Sequence, residues 1–95
     1  MRVEWDGAKT ESNLRKHGIE FETAQLVFED PRCVTFVERI TDGEERWHAI
    51  GWIEDVAIFV VVHTYRDEDS EEVIRIISAR PASRRERRLY AQANA

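Results

Sequence analysis

Residues 73–90 read VIRIISARPASRRERRLY, which predicts an apolar strand, a break at residues 79–81 and then an arginine-dense helix. Six of the fourteen Lys and Arg residues lie between Arg75 and Arg88, and Glu86 is the single acid among them. The rest of the chain holds eight basic and eighteen acidic residues, so the protein is acidic overall but cationic at this end. This asymmetry predicts one local surface that binds a polyanion and a remainder that repels one.

Composition limits the class of protein. A chain of 95 residues, 42% hydrophobic and 35% charged, is expected to form a single domain spanning residues 1–95. No segment approaches the roughly 20 apolar residues of a membrane helix, and the N-terminus lacks the apolar run of a signal peptide. Cys33 is the only cysteine, so no internal disulfide forms, and we expect a reducing compartment, the cytoplasm.

The periodicity of apolar residues predicts an α+β protein. Helices are predicted over residues 7–17, 22–28 and 82–91, and strands over residues 34–40, 46–53, 56–65 and 72–78. Asp6 and Gly18 are suited to begin and end the first helix, and residues 66–70 read as a polar loop. Residues 3–5 read as a short strand or an extended lead-in. The short connections predict a four-stranded antiparallel sheet, with two N-terminal helices and a C-terminal helix covering one face.

The parity of the long strand suggests which face stays open. Its even positions are aliphatic, whereas its odd positions turn polar and aromatic at His63 and Tyr65. We therefore expect the helices on the even face and an open surface on the odd face. Arg75 is the only charge within an aliphatic run, so it is expected beside His63 and Tyr65, while Arg80 at the strand end can reach either face. The alternative for Arg75 is an ion pair with Glu44, Glu45 or Glu72.

Ordinary structural roles compete with functional ones at several of these positions. His63 and Tyr65 can be packing residues at a strand end, and His48 reads as a sheet residue. Lys16 and His17 suit the negative end of a helix dipole, which is reason enough for their presence. A run of arginines on an exposed helix is commonly just solvated, but here few acids accompany Arg84, Arg85, Arg87 and Arg88. These four arginines, with Lys16 and His17, are therefore the predicted RNA-binding residues.

The motifs favour chemistry without a metal or cofactor. The chain has no glycine-rich phosphate loop, no CxxC, no HExxH and no GxSxG, and its three His and one Cys lack the spacing of zinc ligands. RNA cleaves itself when its 2′-hydroxyl attacks the adjacent phosphate. That reaction needs fixed cations, which arginine supplies, and groups that move protons, such as histidine or tyrosine. The residues that could supply both are His63, Tyr65, Arg75 and Arg80.

Several stretches together resemble the BrnT family of bacterial type II toxins. They are VEWDxxK from Val3, NLRKHGIxFExA from Asn13, VFEDP from Val27, EER…IG from Glu44, VVVHT from Val60 and IRIISARPASRRERRxY from Ile74. The resemblance spans nearly the whole chain, with the elements in the order of the family.

The resemblance implies a RelE-like fold and a toxic endoribonuclease that inhibits translation. It also implies a BrnA antitoxin with a ribbon-helix-helix DNA-binding end, so that operator DNA is bound only through the antitoxin. The positions that carry over as candidates for catalysis or RNA binding are Lys16, His17, His63, Arg75, Arg80, Arg84, Glu86 and Arg87. The rival hypothesis is a binding module without catalysis, whose arginine helix docks an acidic partner or RNA.

Overall fold

The structure, a computed structural model, describes residues 1–95 as five strands, three α-helices and one 3₁₀ helix. The helices α1, α2 and α3 comprise Gly7–His17, Phe21–Ala24 and Arg84–Ala93, and the 3₁₀ helix Gln25–Glu29 directly follows α2. The strands β1 to β5 comprise Arg2–Glu4, Val34–Thr41, Glu44–Ile53, Ala57–Glu68 and Glu71–Pro81. The α+β class predicted from the sequence is confirmed.

The sheet differs from the predicted four antiparallel strands. It has five strands in the order β1-β5-β4-β3-β2, and β1 pairs in parallel with residues 73–75 of β5. A three-residue strand shows too little alternation to be recognised by itself, and its pairing partner lies about seventy residues away. The expectation of a purely antiparallel sheet is therefore wrong at this edge.

Two predicted interruptions are absent. The expected loop over residues 66–70 is mostly strand, because β4 and β5 pair as far as Glu68 and Glu71 and only Asp69 and Ser70 turn, with φ of 51° and 66°. The expected break at residues 79–81 is also strand, since β5 pairs with β4 as far as Pro81. Long-range pairing has overridden the local turn signals in both places.

The helix boundaries follow local chemistry. The Asp6 carboxylate accepts a hydrogen bond from the Ala8 amide at 2.8 Å, and Gly18 ends α1 with φ of 74°, as predicted. The second predicted helix, residues 22–28, is instead the short α2 followed by the 3₁₀ helix. This tighter segment lies close to β3, where a Cβ on Gly51 would be 3.1 Å from Val27. Glycine at position 51 therefore permits the close approach.

Helix α1 closes the part of β5 that β1 leaves unpaired. The buried Asn13 side chain donates from Nδ2 to the carbonyls of Ala79 and Ile19, both at 2.9 Å, and its Oδ1 accepts from the Ala79 amide at 3.1 Å. One carboxamide thus satisfies both backbone groups of Ala79, in the manner of a neighbouring strand. This contact fixes α1 against the sheet and blocks an exposed edge.

Helices pack on both faces of the sheet, whereas one covered face was expected. The larger core joins α2 and the 3₁₀ helix to the sheet; its fully buried residues include Phe21, Val27, Val61 and Ile76. A smaller core lies on the other face. It places Tyr90 of α3, together with Ala82, against Ile50 and Val60. The structure therefore has three layers, with α3 alone on the second face.

Candidate functional site

The strand register determines which side chains share a face, because residues paired across two strands point the same way. His63 pairs with Ile76, and Arg75 pairs with Thr64, the next residue along β4. His63 and Tyr65 share a face as predicted, but Arg75 points to the opposite face, so the expectation that Arg75 lies beside them is wrong. The reason is a β-bulge: the β4–β5 register shifts between Val62 and His63, which reverses the parity of the following residues.

The register also collects the arginines of the sheet on one side. All six arginines of the strands lie on the face that α3 packs against, here called the cationic face: Arg2, Arg39, Arg46, Arg66, Arg75 and Arg80. The opposite face, here called the helix-layer face, carries no Lys or Arg from any strand. A polyanion that binds the sheet is therefore expected on the cationic face.

His63 is sealed within the helix-layer face. Its ring is fully buried, with Nδ1 3.1 Å from the Val61 carbonyl oxygen and Nε2 without a partner. Phe28 of the 3₁₀ helix and Tyr65 each pack edge-on at 4.9 Å between ring centroids. Burial lowers the pKa of His63 to about 4, so the ring is neutral at pH 7. Without access to solvent, His63 has no route to a substrate on this face.

Arg75 takes part in an ion-pair cluster at one end of the cationic face. Its Nη1 lies 3.5 Å from Oε1 of Glu4, which also pairs with Arg66. Its partner is therefore none of the three acids expected from the sequence. The pairing of Glu4 with Arg75 became possible only through the parallel strand β1. Arg75 does not line the groove between the sheet and α3, so it forms part of the rim of this face.

A groove of about 390 Å³ lies between the sheet and the start of α3. The groove is lined by Phe36, Glu38, His48, Arg80, Ser83, Arg85, Glu86 and Leu89. The register brings these positions together, since Val62 pairs with both His48 of β3 and Ser78 of β5. Of the four residues predicted to be catalytic, only Arg80 lies here.

Arg80 is held by two hydrogen bonds to one carboxylate. Its Nη1 and Nη2 donate to Oε1 and Oε2 of Glu86 at 2.7 and 2.9 Å. Glu86 also accepts from the Ser83 amide at 2.8 Å and completes the capping box that begins α3. The hydrogen bonds from Arg80 lower the pKa of Glu86 to about 2, so the carboxylate stays ionised. The guanidinium plane is thereby fixed, while its Nε–H makes no hydrogen bond within the protein.

His48 is the titratable group in the middle of this groove. It is half-buried beside Phe36, at 5.6 Å between ring centroids. Burial lowers its pKa; the carboxylate of Glu38 opposes this shift, and the positive charge of Arg80 adds to it. His48 is therefore neutral at pH 7 and free to accept a proton. From the sequence it was interpreted as a sheet residue, and only its cross-strand neighbours distinguish it from His63.

Arg46 extends the site on the same face, two residues before His48 in β3. Its Nε is buried and has no hydrogen-bond partner within the protein. That nitrogen is closed to a substrate, but Arg46 as a whole is only half-buried, so its guanidinium adds positive charge to the face that holds His48. Arg46 is not among the residues predicted from the sequence, although it stands in the EER stretch that carries part of the family resemblance.

The remaining predicted RNA-binding residues lie in two places. Arg85 lines the groove, and Arg87 donates to the Ala82 carbonyl at 2.9 Å, while Arg84 and Arg88 are exposed elsewhere on α3. Lys16 and His17 are exposed at the end of α1, beside Ile77 and Ser78 at the open edge of β5. The structure thus brings Arg80 and Arg85 together and leaves Lys16 and His17 outside the groove.

No three His, Cys, Asp or Glu side chains lie close enough to hold a metal ion between them. None of the helices combines the length and apolar character needed to cross a membrane. The fold and the groove define a small α+β protein with arginine and histidine side chains in a groove beside its C-terminal helix.

Comparison with known proteins identifies the family. Residues 5–86 match the family model described as the ribonuclease toxin BrnT of type II toxin-antitoxin systems. The crystal structure of the Brucella abortus ribonuclease toxin BrnT is similar, with a TM-score of 0.65 and 33% sequence identity. The similarity covers 88% of this chain and 99% of that one. Among the curated proteins, none matches. The chain belongs to the BrnT family of ribonuclease toxins, and a type II toxin implies a protein antitoxin and an RNA substrate.

Proposed function

We propose that this chain is a metal-independent endoribonuclease that inhibits translation in the cytoplasm. We further propose that a BrnA-like antitoxin with a ribbon-helix-helix end neutralises it, and that the pair contacts operator DNA through that antitoxin. The observation that carries the enzymatic part is the groove in which a neutral His48 lies near an arginine fixed by Glu86. The family membership supports the toxin role.

His48 is proposed as the base. It takes the proton of a ribose 2′-hydroxyl, the 2′-oxygen forms a bond to phosphorus, and the bond from phosphorus to the 5′-oxygen breaks. The leaving 5′-oxygen takes a proton from water, and the hydroxide so formed accepts the proton held by His48, which restores the neutral imidazole. The products are a 2′,3′-cyclic phosphate and a 5′-hydroxyl, so atoms and charge balance without a further reactant. A neutral imidazole near pH 7 has the protonation state that this step requires.

Arg80 is proposed to stabilise the charge that develops on the phosphorane, with Arg46 and Arg85 beside it. Because Glu86 holds the guanidinium in place before substrate arrives, little reorganisation is needed when the charge develops. Guanidinium groups thus supply the positive charge that a divalent cation supplies in other nucleases. The negative charge of Glu38 and Glu86 confines the phosphate to the arginine side of the groove.

A non-catalytic binding module is the second candidate. It is favoured by the exposure of Arg84 and Arg88 on α3, outside the groove, where they suit contact with an acidic partner or RNA surface. In that case binding depends on α3 and His48 has no chemical role.

The deciding experiment measures cleavage of single-stranded RNA by the purified chain in EDTA. We expect cleavage with 2′,3′-cyclic phosphate ends, and a loss of about 10²- to 10⁴-fold in the rate for His48→Gln. Arg15→Gln, an exposed change on α1, is the control and should cleave as the parent does. Equal rates for His48→Gln and the parent would remove His48 from the mechanism. Activity that disappears in EDTA would refute metal independence, and binding without cleavage would favour the second candidate.

A further inference from the structure

The helix-layer face has an uncovered half. The α2 and 3₁₀ segment covers the part of the sheet around Val61 and Ile76, but apolar side chains continue beyond it. Val37 and Ile40 of β2 are 39% and 67% exposed, and Trp47 and Tyr65 beside them are half-buried. These four residues are here called the aromatic patch. Exposed apolar residues gathered in one place commonly mark an interaction surface.

The aromatic patch is continuous. Val37 is the cross-strand partner of Trp47, whose ring packs edge-on against Tyr65 at 5.1 Å. Ile40 pairs with Glu45, two residues before Trp47 on the same face. A bulge between Val37 and Arg39 places Val37 and Ile40, three positions apart, on one side of the strand. Without that bulge, Ile40 would point to the cationic face.

Acidic residues border the aromatic patch. Glu45, Asp67 and Glu72 are exposed and share its face, and the last two pair with each other across β4 and β5. Glu72 lies two residues before Ile74, the cross-strand partner of Tyr65, and its charge adds to the burial that raises the pKa of Tyr65. Because the strands contribute no Lys or Arg to this face, it repels RNA and complements a positively charged partner.

We propose that the aromatic patch is a docking surface for a basic, apolar segment of the antitoxin. The proposal rests on the proposed function only in taking the antitoxin as the partner. The apolar side chains of that segment pack on Trp47 and Val37, while its Lys or Arg residues pair with the acidic border. Since the patch and the groove lie on opposite faces, this contact holds the antitoxin without occupying the place of the RNA.

The test compares two toxin variants in binding to the antitoxin purified from the same operon. Val37→Lys/Ile40→Lys removes apolar contact and repels a basic segment. Val56→Lys makes the same change at an apolar residue that is 79% exposed, outside the patch. By titration calorimetry we expect the double variant to bind at least about 30-fold more weakly and Val56→Lys to stay within about 2-fold of the parent. RNA cleavage and the thermal midpoint should be unchanged in both.

Charge reversal supplies an independent arm. Glu45→Lys/Glu72→Lys leaves the apolar residues in place and should weaken binding about 10-fold at low salt, with a smaller loss at high salt. Unchanged affinity in both patch variants would overturn the proposal, as would a patch variant that alters RNA binding or the oligomeric state of the toxin alone. The calorimetry does not require activity, so failure of the cleavage assay and failure of the docking assay are distinguishable.

Discussion

The two faces of one sheet differ in almost every physical property. The cationic face carries every strand arginine, one half-buried histidine and a groove beside α3. The helix-layer face carries a packed core, a fully buried histidine and an acid-bordered aromatic patch. His48 and His63 have the same intrinsic chemistry, yet only His48 can exchange protons with a substrate. The environment on each side of the sheet, rather than the residue type, assigns the role.

Two bulges produce this separation. Arg75 and Arg80 stand five positions apart in β5, a spacing that puts residues of a regular strand on opposite faces. The register shift at Val62 and His63 brings them to the same face. The shift between Val37 and Arg39 does the same for the exposed residues of β2, here on the helix-layer face. Each bulge therefore helps to build one of the two surfaces.

The prediction with the largest expected effect compares Arg80, in the groove of the cationic face, with Arg75, at the rim of that face. Arg80→Gln should lower RNA cleavage about 10²- to 10³-fold, because it removes a positioned donor for the phosphorane charge. Arg75→Gln makes the same change at a guanidinium that does not line the groove and should cost only about 3-fold. Single-turnover cleavage rates of the two variants measure the difference. Equal losses would mean that the groove beside α3 is not the centre of the site.

The next prediction concerns His63, the buried histidine of the helix-layer face, and its effect on the pH dependence of stability. The pKa of His63 is about 4 in the fold and about 6.5 in the unfolded chain, so the unfolded state binds more protons between these values. Stability due to its neutral form is therefore fully present above pH 6.5 and lost as the pH falls toward 4. We expect a loss of about 2 to 3 kcal/mol by pH 4.5 from this group. Urea unfolding at pH 7 and 4.5 measures it.

His63→Leu is the matching control for that measurement. It should remove most of the loss between pH 7 and 4.5, leaving a smaller part from His48, whose pKa is also lowered by burial. A variant that keeps the full pH dependence would show that another group, and not the sealed ring on the helix-layer face, is responsible.

The smallest effect concerns the attachment of α3 to the cationic face. The Tyr90 hydroxyl donates to Asp30 at 2.7 Å, and burial raises the pKa of Tyr90 to about 12. Tyr90→Phe keeps the ring and leaves the carboxylate with its bonds from the backbone amides of Trp52 and Arg32. We expect a loss of about 1 to 2 kcal/mol in the free energy of unfolding. Tyr65→Phe is the same change on the helix-layer face and should cost less than about 0.5 kcal/mol.

Local patterns were enough for several parts of the fold. Asp6 and Gly18 bound α1 as predicted, because capping depends on neighbouring backbone groups alone. Ser83 caps α3, close to the predicted start of this helix at residue 82. The α+β class and the BrnT family were also predictable, since the order of the elements and the residues of the motifs are properties of the sequence itself.

The site was predicted less well than the fold. The sequence predicts Arg80 and Arg85 as functional residues, and both lie in the groove. For the histidine of the site it favours His63, whereas His48 is the one in the groove. A single strand gives no indication of whether its odd or even residues meet a helix. The choice between two histidines depended on which face the α2 and 3₁₀ segment covers, and that segment is held close by Gly51 and Asp30.

By itself the amino-acid sequence determined most of the helices and strands, the caps of α1 and the concentration of positive charge near the C-terminus, because each depends on residues only a few positions apart. The tertiary structure alone decided the pairing of β1 with β5, the two bulges, and hence the face on which each arginine and histidine lies. The physical reason is that register is a relation between strands. When the pairing register of a strand shifts by one residue, every side chain beyond the shift points to the opposite face of the sheet, although the sequence is the same.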